Sequence, residues 1–249
     1  DEAVKALGEE DAQALGGGQT LIPTLKQRLA QPSKLVSLTG IADMQGVKAD
    51  GGTLTVGGAT THATVAREAA SHYPALAAMA AHIGDPAVRN RGTIGGSLAN
   101  NDPSACYPCG VLASGATVVT NSREIAADDF FDGMFATALE EGEIITAVKF
   151  PIPERANYQK FEQPASRFAL VGVMVTRSGD NVRVAVTGAS EDGVFRWSEA
   201  EEALKGNYDA SAIDGLSVPA DGMIGDIHGT PEYRAHLVGV LTKRAVAAS

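Results

Sequence analysis

Valine-rich apolar stretches occupy 168–177 and 181–188, separated by the tight Ser178-Gly179-Asp180 turn. They predict an antiparallel hairpin, with a third strand over 158–161 beside it. Helical spacing then takes over at 199–205, 210–216 and 232–247. Strands followed by a run of helices predict an α+β unit. Upstream the pattern is more mixed. A helix ends over 3–7, a short strand covers 14–15, and 21–28 reads as a short helix. Strands are predicted at 34–38 and 53–57, with Asp50-Gly51-Gly52 as the turn between them.

Alanine-rich apolar faces over 64–71 and 74–83 predict helices, as does 105–114. Paired strands are expected at 116–120 and 123–125 around Asn121-Ser122, and a further strand at 144–150, closed by Pro151 and Pro153. A unit boundary falls over 151–157. There is no internal repeat and no low-complexity tract.

At 249 residues the chain can bury a large core in one or two domains. Thirty acidic against 20 basic residues leave a formal charge of −10, which argues against general binding to nucleic acid or an anionic membrane. No apolar run reaches the roughly 18 residues that span a bilayer. No signal peptide is visible. The chain opens in a helix without an initiator Met, so a truncated N-terminus is expected.

Candidate chemistry concentrates in two glycine-rich turns about 75 residues apart, Leu15-Gly16-Gly17-Gly18-Gln19-Thr20-Leu21-Ile22-Pro23 and Arg91-Gly92-Thr93-Ile94-Gly95-Gly96-Ser97-Leu98-Ala99-Asn100. Each stacks small residues where a backbone must come close to something, and neither carries a lysine to neutralise a phosphate. Two such loops predict an elongated anionic cofactor, a dinucleotide, held mainly by backbone N–H groups. In the first, the N–H groups of Gly16, Gly17 and Gly18 can converge on a pyrophosphate, with Gln19 and the Thr20 hydroxyl adding polar groups. A tight turn between strand and helix is the alternative. The segment matches neither GxGxxG nor the P-loop. Asp43, at the distance of a Rossmann acidic residue, lacks the preceding pattern and reads as a surface residue.

In the second loop, Thr93, Ile94, Gly95, Gly96 and Ser97 let a flat ring or ribityl chain lie against the backbone. Asn101 and Asp102 are placed to hydrogen-bond hydroxyls or a ring edge, although Asp102-Pro103 reads equally as a turn and helix start. Cys106 and Cys109 form a lone CxxC. With no second CxxC and no spaced histidine near it, the packed start of a buried helix is expected rather than a redox pair or half a zinc site. His62 and His82 have no visible acid or base partner and read as packed or capping residues.

Taken together, Gly-Gly-Gln-Thr-Leu-Ile-Pro and Gly-Thr-Ile-Gly-Gly-Ser-Leu-Ala-Asn-Asn-Asp-Pro resemble the FAD-binding medium subunit of molybdenum hydroxylases, the carbon monoxide and xanthine dehydrogenase family. The likeness continues through Asp128-Asp129-Phe130-Phe131, Glu143-Ile144-Ile145-Thr146-Ala147-Val148, Lys160-Phe161, Ser166-Arg167, Ala220-Asp221-Gly222 and Glu232-Tyr233-Arg234-Ala235-His236, so it covers essentially the whole chain.

The resemblance implies an α+β protein: two α/β subdomains clasping FAD in a PCMH-type fold (1–50 and 51–154), then a C-terminal α+β domain (155–249). It implies that Gly16, Gly17, Gly18, Gln19 and Thr20 wrap the pyrophosphate with Leu21 alongside. Thr93, Ile94, Gly95, Gly96 and Ser97 would form the second clasp, Ile145 would pack near the adenine or flavin, and Lys160 would be a cofactor-side cation or else a surface strand lysine. The chain departs from the family in having Gly16 for an alanine and Cys106 where an aspartate that contacts FAD is common. The family's first strand-turn is also absent.

The implied activity is electron transfer with no catalytic side chain and no metal on this chain. Electrons would pass from [2Fe–2S] clusters on a small subunit, fed by a large molybdenum-cofactor subunit, through FAD to an external acceptor. The implied assembly is a dimer of heterotrimers, cytoplasmic or at the inner face of the membrane. A stand-alone FAD oxidoreductase of the same fold and a flavin-free assembly subunit are the alternatives. The substrate and the acceptor are not encoded in these residues.

Overall fold

The computed structural model describes residues 1–249. In chain order the elements are α1 (Glu2–Leu7), β1 (Ala12–Leu15), α2 (Leu21–Lys26), β2 (Lys34–Ser37), β3 (Val47–Asp50), β4 (Thr53–Gly57), α3 (His62–Glu68), α4 (Pro74–Ala81), α5 (Pro86–Arg89), α6 (Ile94–Asn100), α7 (Cys106–Ser114), β5 (Thr117–Thr120), β6 (Glu124–Ala126), β7 (Ile145–Pro151), β8 (Arg155–Glu162), β9 (Ala169–Ser178), β10 (Asn181–Ser190), β11 (Gly193–Arg196), α8 (Ser198–Gly206) and α9 (Pro231–Ala247). The architecture is the α+β one expected. No helix is long and apolar enough to cross a membrane.

Three sheets organise the chain. β1 and β2 form a parallel pair joined through the first glycine loop and α2. A five-stranded antiparallel sheet runs β3-β4-β7-β5-β6, and a four-stranded antiparallel sheet runs β11-β10-β9-β8. This corrects one sequence expectation. The Asp50-Gly51-Gly52 turn joins β3 to β4, with Asp50 opposite Thr53, and does not lead back to the strand at 34–37. That strand lies beside β1, and Leu38 N–H extends the pairing by donating to Leu15 O at 2.9 Å. β3 and β11 are four-residue edge strands, too short for a periodic signal to stand out from the turns beside them. The helix expected over 210–216 is only a short 3-10 turn, Ala210–Ile213, capped by the Asp209 carboxylate on Ser211 N–H.

α7 is the pivot. All nine of its residues are buried, because it passes between the five-stranded sheet and the inner face of β9 and β10. Pro108 is tolerated there since it occupies the first turn, where its missing N–H had no intrahelical acceptor. The helix ends at Gly115, φ 57°, and its last carbonyls are taken up by the C-terminal sheet: Arg183 Nε donates to Leu112 O at 2.9 Å and Thr176 Oγ1 to Ala113 O at 2.7 Å. At its other end Thr187 Oγ1 donates to Pro103 O and Ala105 O, and Gly188 N–H to Pro103 O at 2.7 Å. The C-terminal sheet thus holds the segment that follows the second glycine loop.

Candidate cofactor cleft

The first glycine loop leaves the carboxyl end of β1, the edge of a parallel pair at which α/β proteins place ligands. Gly18 takes φ 72°, open to glycine at no cost. The Gln19 amide folds back to donate to Gly17 O at 3.2 Å. The N–H groups of Gly16, Gly17, Gly18, Gln19 and Thr20 donate to no backbone acceptor. Five successive donors without partners form a nest suited to anionic oxygens.

The second loop is built differently, and here the structure corrects the expectation that both loops offer N–H groups. Residues 94–100 are a short helix, α6, capped by Thr93 Oγ1, which accepts from Gly96 N–H at 3.1 Å. Ile94 N–H donates to Thr60 O, Gly95 N–H to Gly58 O and Ser97 N–H to Thr93 O. Its donors are consumed inside the protein.

The glycines also divide in what they avoid. A Cβ on Gly17 would stand 1.9 Å from Arg91 O, and one on Gly16 would stand 2.9 Å from Thr93 Oγ1. These two glycines let the loops pack on each other. A Cβ on Gly95 would come within 2.6 Å of Gly58 O, whereas one on Gly96 meets only Thr93 Oγ1 at 3.0 Å.

Between the loops lies a cleft of about 800 Å³, within the range of small-molecule and cofactor sites. Gly16, Gly17, Gly18, Gln19, Thr20 and Leu21 lie along it, with Thr93, Gly95, Gly96 and Ser97 from the second loop. Asp102, Cys106, Ile145 and Lys160 also reach it. Two expected residues do not. Ile94 is fully buried in the core beneath α6. Asn101 adopts φ 41° and its amide donates to Gly133 O and Ala136 O, both at 2.8 Å, which stitches a neighbouring loop in place. Asp102 accepts from Ser104 N–H at 2.8 Å, so the turn role and a place on the cleft coexist.

Lys160 Nζ donates to His82 O at 2.7 Å, which holds its charge on the cleft wall. His82 does have an acidic neighbour, Glu162 at 3.0 Å, 80 positions away in the chain and so invisible to local reading. Glu143 lies on the cleft too, but its carboxylate is bonded by Arg123 Nε and Nη2, both at 3.0 Å, by Thr120 and Ser122, and by Glu140 N–H. Arg123 above all holds it well below the usual carboxylate range. Cys106 and Cys109 begin α7, as expected for packed residues. Burial drives the Cys109 thiol far up, and its Sγ donates to Ala185 O at 3.1 Å, the opposite of an activated thiolate.

Sequence reasoning assigned no cleft role to Ile83, Gly58 or Phe168, and read His62 only as a packed or capping residue and Ser166-Arg167 only as part of the family likeness, yet all lie on the cleft. What brings His62 there is tertiary: its neighbour Thr61 caps α3 and bridges to Thr93, more than 30 positions on.

A cleft with a row of free N–H donors, small residues opposite and a lysine on one wall fits an elongated anionic dinucleotide. Residues 1–153 match the family model described as the FAD binding domain in molybdopterin dehydrogenase. The chain belongs to the family of FAD-binding medium subunits of molybdenum hydroxylases. Beyond the matched domain, the nicotine 6-hydroxylase medium subunit of Paenarthrobacter nicotinovorans is 36% identical over 96% of this chain and 89% of its own length. The carbon monoxide dehydrogenase medium chain of Afipia carboxidovorans is 34% identical over 95% and 88%. Among solved structures of the family, the reconstituted carbon monoxide dehydrogenase from Oligotropha carboxidovorans superposes with a TM-score of 0.88 at 32% identity, covering 98% of this chain and 92% of that one. Quinoline 2-oxidoreductase from Pseudomonas putida 86 superposes at 0.83 with 29% identity, over 99% and 92%.

Proposed function

We propose that this medium subunit relays electrons from [2Fe–2S] clusters on a small partner subunit to an external acceptor, within a complex whose large subunit carries the molybdenum cofactor. The observation that carries the reading is the row of five unpartnered N–H groups on a cleft of dinucleotide size. FAD, when bound, supplies two-electron storage that exchanges single electrons with iron–sulfur clusters.

The chain's own residues bind and orient. Residues 16–20 take the pyrophosphate, Leu21 and Ile145 supply apolar walls, and Thr93, Gly95, Gly96 and Ser97 form a close floor. Asp102 and Cys106 line the rim, and Lys160 contributes a fixed positive charge. Ile94 and Asn101 serve by holding that floor in shape. The units 1–50 and 51–154 clasp the cofactor, and 155–249 braces the second clasp through Thr187 and Gly188. A dimer of heterotrimers in the cytoplasm is the assembly proposed.

The test is to purify the chain, record its visible spectrum, and titrate the colourless protein with FAD. Stoichiometric flavin with turnover only after adding the two partner subunits is expected. A chain that neither carries nor binds FAD overturns the proposal in favour of an assembly role. Turnover of a simple donor by the isolated chain overturns it in favour of a stand-alone oxidoreductase.

A further inference from the structure

The cleft contains one ring whose polar edge the fold leaves unused. His62 opens α3 and is only 4% exposed. Its backbone N–H donates to Gly92 O at 3.0 Å, which pins it to the second glycine segment. Nδ1 is sealed and has no hydrogen-bond partner. The ring therefore meets the cleft on its Nε2 side, beside Gly92, where a Cβ added to that glycine would stand 2.5 Å from Nε2. The Tyr107 ring, fully buried, lies 5.3 Å away at a 49° tilt and sets the plane of the imidazole.

This position is where the two clasps touch. A Cβ on Gly17 would come within 2.6 Å of Gly92 Cα, so the first loop arrives on the same glycine that Nε2 adjoins. His62 and the first loop, whose N–H groups have no partner, therefore line the same cleft on either side of Gly92. A buried imidazole with neither nitrogen bonded is costly unless a ligand completes it.

We infer that His62 is a cofactor-binding residue whose Nε2–H donates a hydrogen bond to a pyrophosphate oxygen at the junction of the two glycine loops. The inference rests on the FAD reading above. Burial, aided by the Arg89 guanidinium, pushes the imidazole down to about 4, so the ring is neutral near pH 7 and carries one N–H. On Nδ1 that hydrogen would be sealed without an acceptor; on Nε2 it meets the cleft.

The test is FAD titration of the full chain by flavin fluorescence, with His62→Leu and His62→Gln beside the unsubstituted protein. The glutamine Nε2 reaches the place of the imidazole Nε2, and leucine keeps the bulk without the donor. Loss of one such hydrogen bond weakens affinity on the order of tenfold in His62→Leu, and His62→Gln recovers most of it. In ¹⁵N-histidine-labelled protein without substitution, FAD shifts the Nε2–H resonance of His62 and leaves Nδ1 unprotonated. That readout decides the matter even where a variant folds poorly. Unsubstituted protein that binds FAD, with His62→Leu binding equally well and an unmoved Nε2–H signal, overturns the role of His62 alone. Failure of the unsubstituted protein to bind FAD overturns the FAD reading instead.

Discussion

In the first glycine loop the N–H groups of residues 16–20 are left without backbone acceptors, whereas in the second Ile94, Gly95, Gly96 and Ser97 spend theirs on Thr60, Gly58 and Thr93. The first segment is a turn at the end of a parallel strand pair, and its backbone is held open by Gly18 at φ 72°. The second is the start of a capped helix locked to the β4 end. Both are glycine-rich, but the glycines answer different demands. Gly16 and Gly17 make room for the opposite loop, Gly95 makes room for Gly58, and Gly96 leaves one face of α6 bare toward the cleft. One loop recognises through donors; the other provides a stiff surface that a ligand can approach.

Substitutions can break this contrast. The largest effect is expected at Gly17→Ala. Its Cβ would stand 1.9 Å from Arg91 O, so the loops must part. Overpacking against backbone costs about 1–3 kcal/mol, and the separated clasp should lose FAD affinity on the order of 100-fold. Both a melting curve and the flavin-to-protein absorbance ratio report this. An unaltered ratio would show that the loops need not touch.

The second expectation concerns acid. His62, between the loops, sits at about 4 instead of 6.5, so the unfolded chain binds more protons in that window. Stability therefore rises with pH from about 4 to 6.5 and is lost on acidification, by about 3 kcal/mol at most from this group. Glu143, held low by Arg123, adds a loss of the same sign at more acidic pH. Urea midpoints across pH 4–7 measure the slope, and His62→Gln should flatten it.

Gly96→Ala should separate binding from stability. The new methyl meets only Thr93 Oγ1, at a tight 3.0 Å that the cap hydroxyl must yield to, and alanine's preference for a helix over glycine, about 1 kcal/mol, offsets that crowding, so the melting temperature should change little. FAD affinity should fall on the order of tenfold because the Cβ occupies the floor of the cleft. A falling melting temperature with unchanged affinity would reverse the assignment of the two loops. The smallest effect is expected at Thr93→Val, which removes the cap from Gly96 N–H for about 1 kcal/mol. Its thermal shift should exceed any change in flavin binding.

Much of this was legible in the residues. The valine-rich hairpin β9–β10, the buried helix α7 and both glycine loops were placed within a residue or two, because period and turn chemistry are local. Other features were not. β2 was read as leading to β4, since nothing in Lys34-Leu35-Val36-Ser37 says that it pairs in parallel with β1. Residues 91–100 were read as a second N–H cradle, since their acceptors, Thr60 and Gly58, lie more than 30 positions upstream. Ile94 and Asn101 sat in the right motif but point into the core and toward Gly133 and Ala136.

The sequence by itself determined the α+β class, the two close-approach segments, the family and its flavin cofactor. The class and the close-approach segments follow from hydrophobic period and the conformational freedom of glycine, and the family with its cofactor follows from the resemblance of the two motifs, all written in neighbouring residues. Only the tertiary structure decided which N–H groups stay free, which glycine faces a ligand and which faces a backbone, and that His62 stands bare where the loops meet. Those outcomes depend on what arrives from elsewhere in the chain. A hydrogen bond, or the closeness of two backbones that leaves no room for a Cβ at Gly17, is a property of two segments, and neither segment encodes it alone.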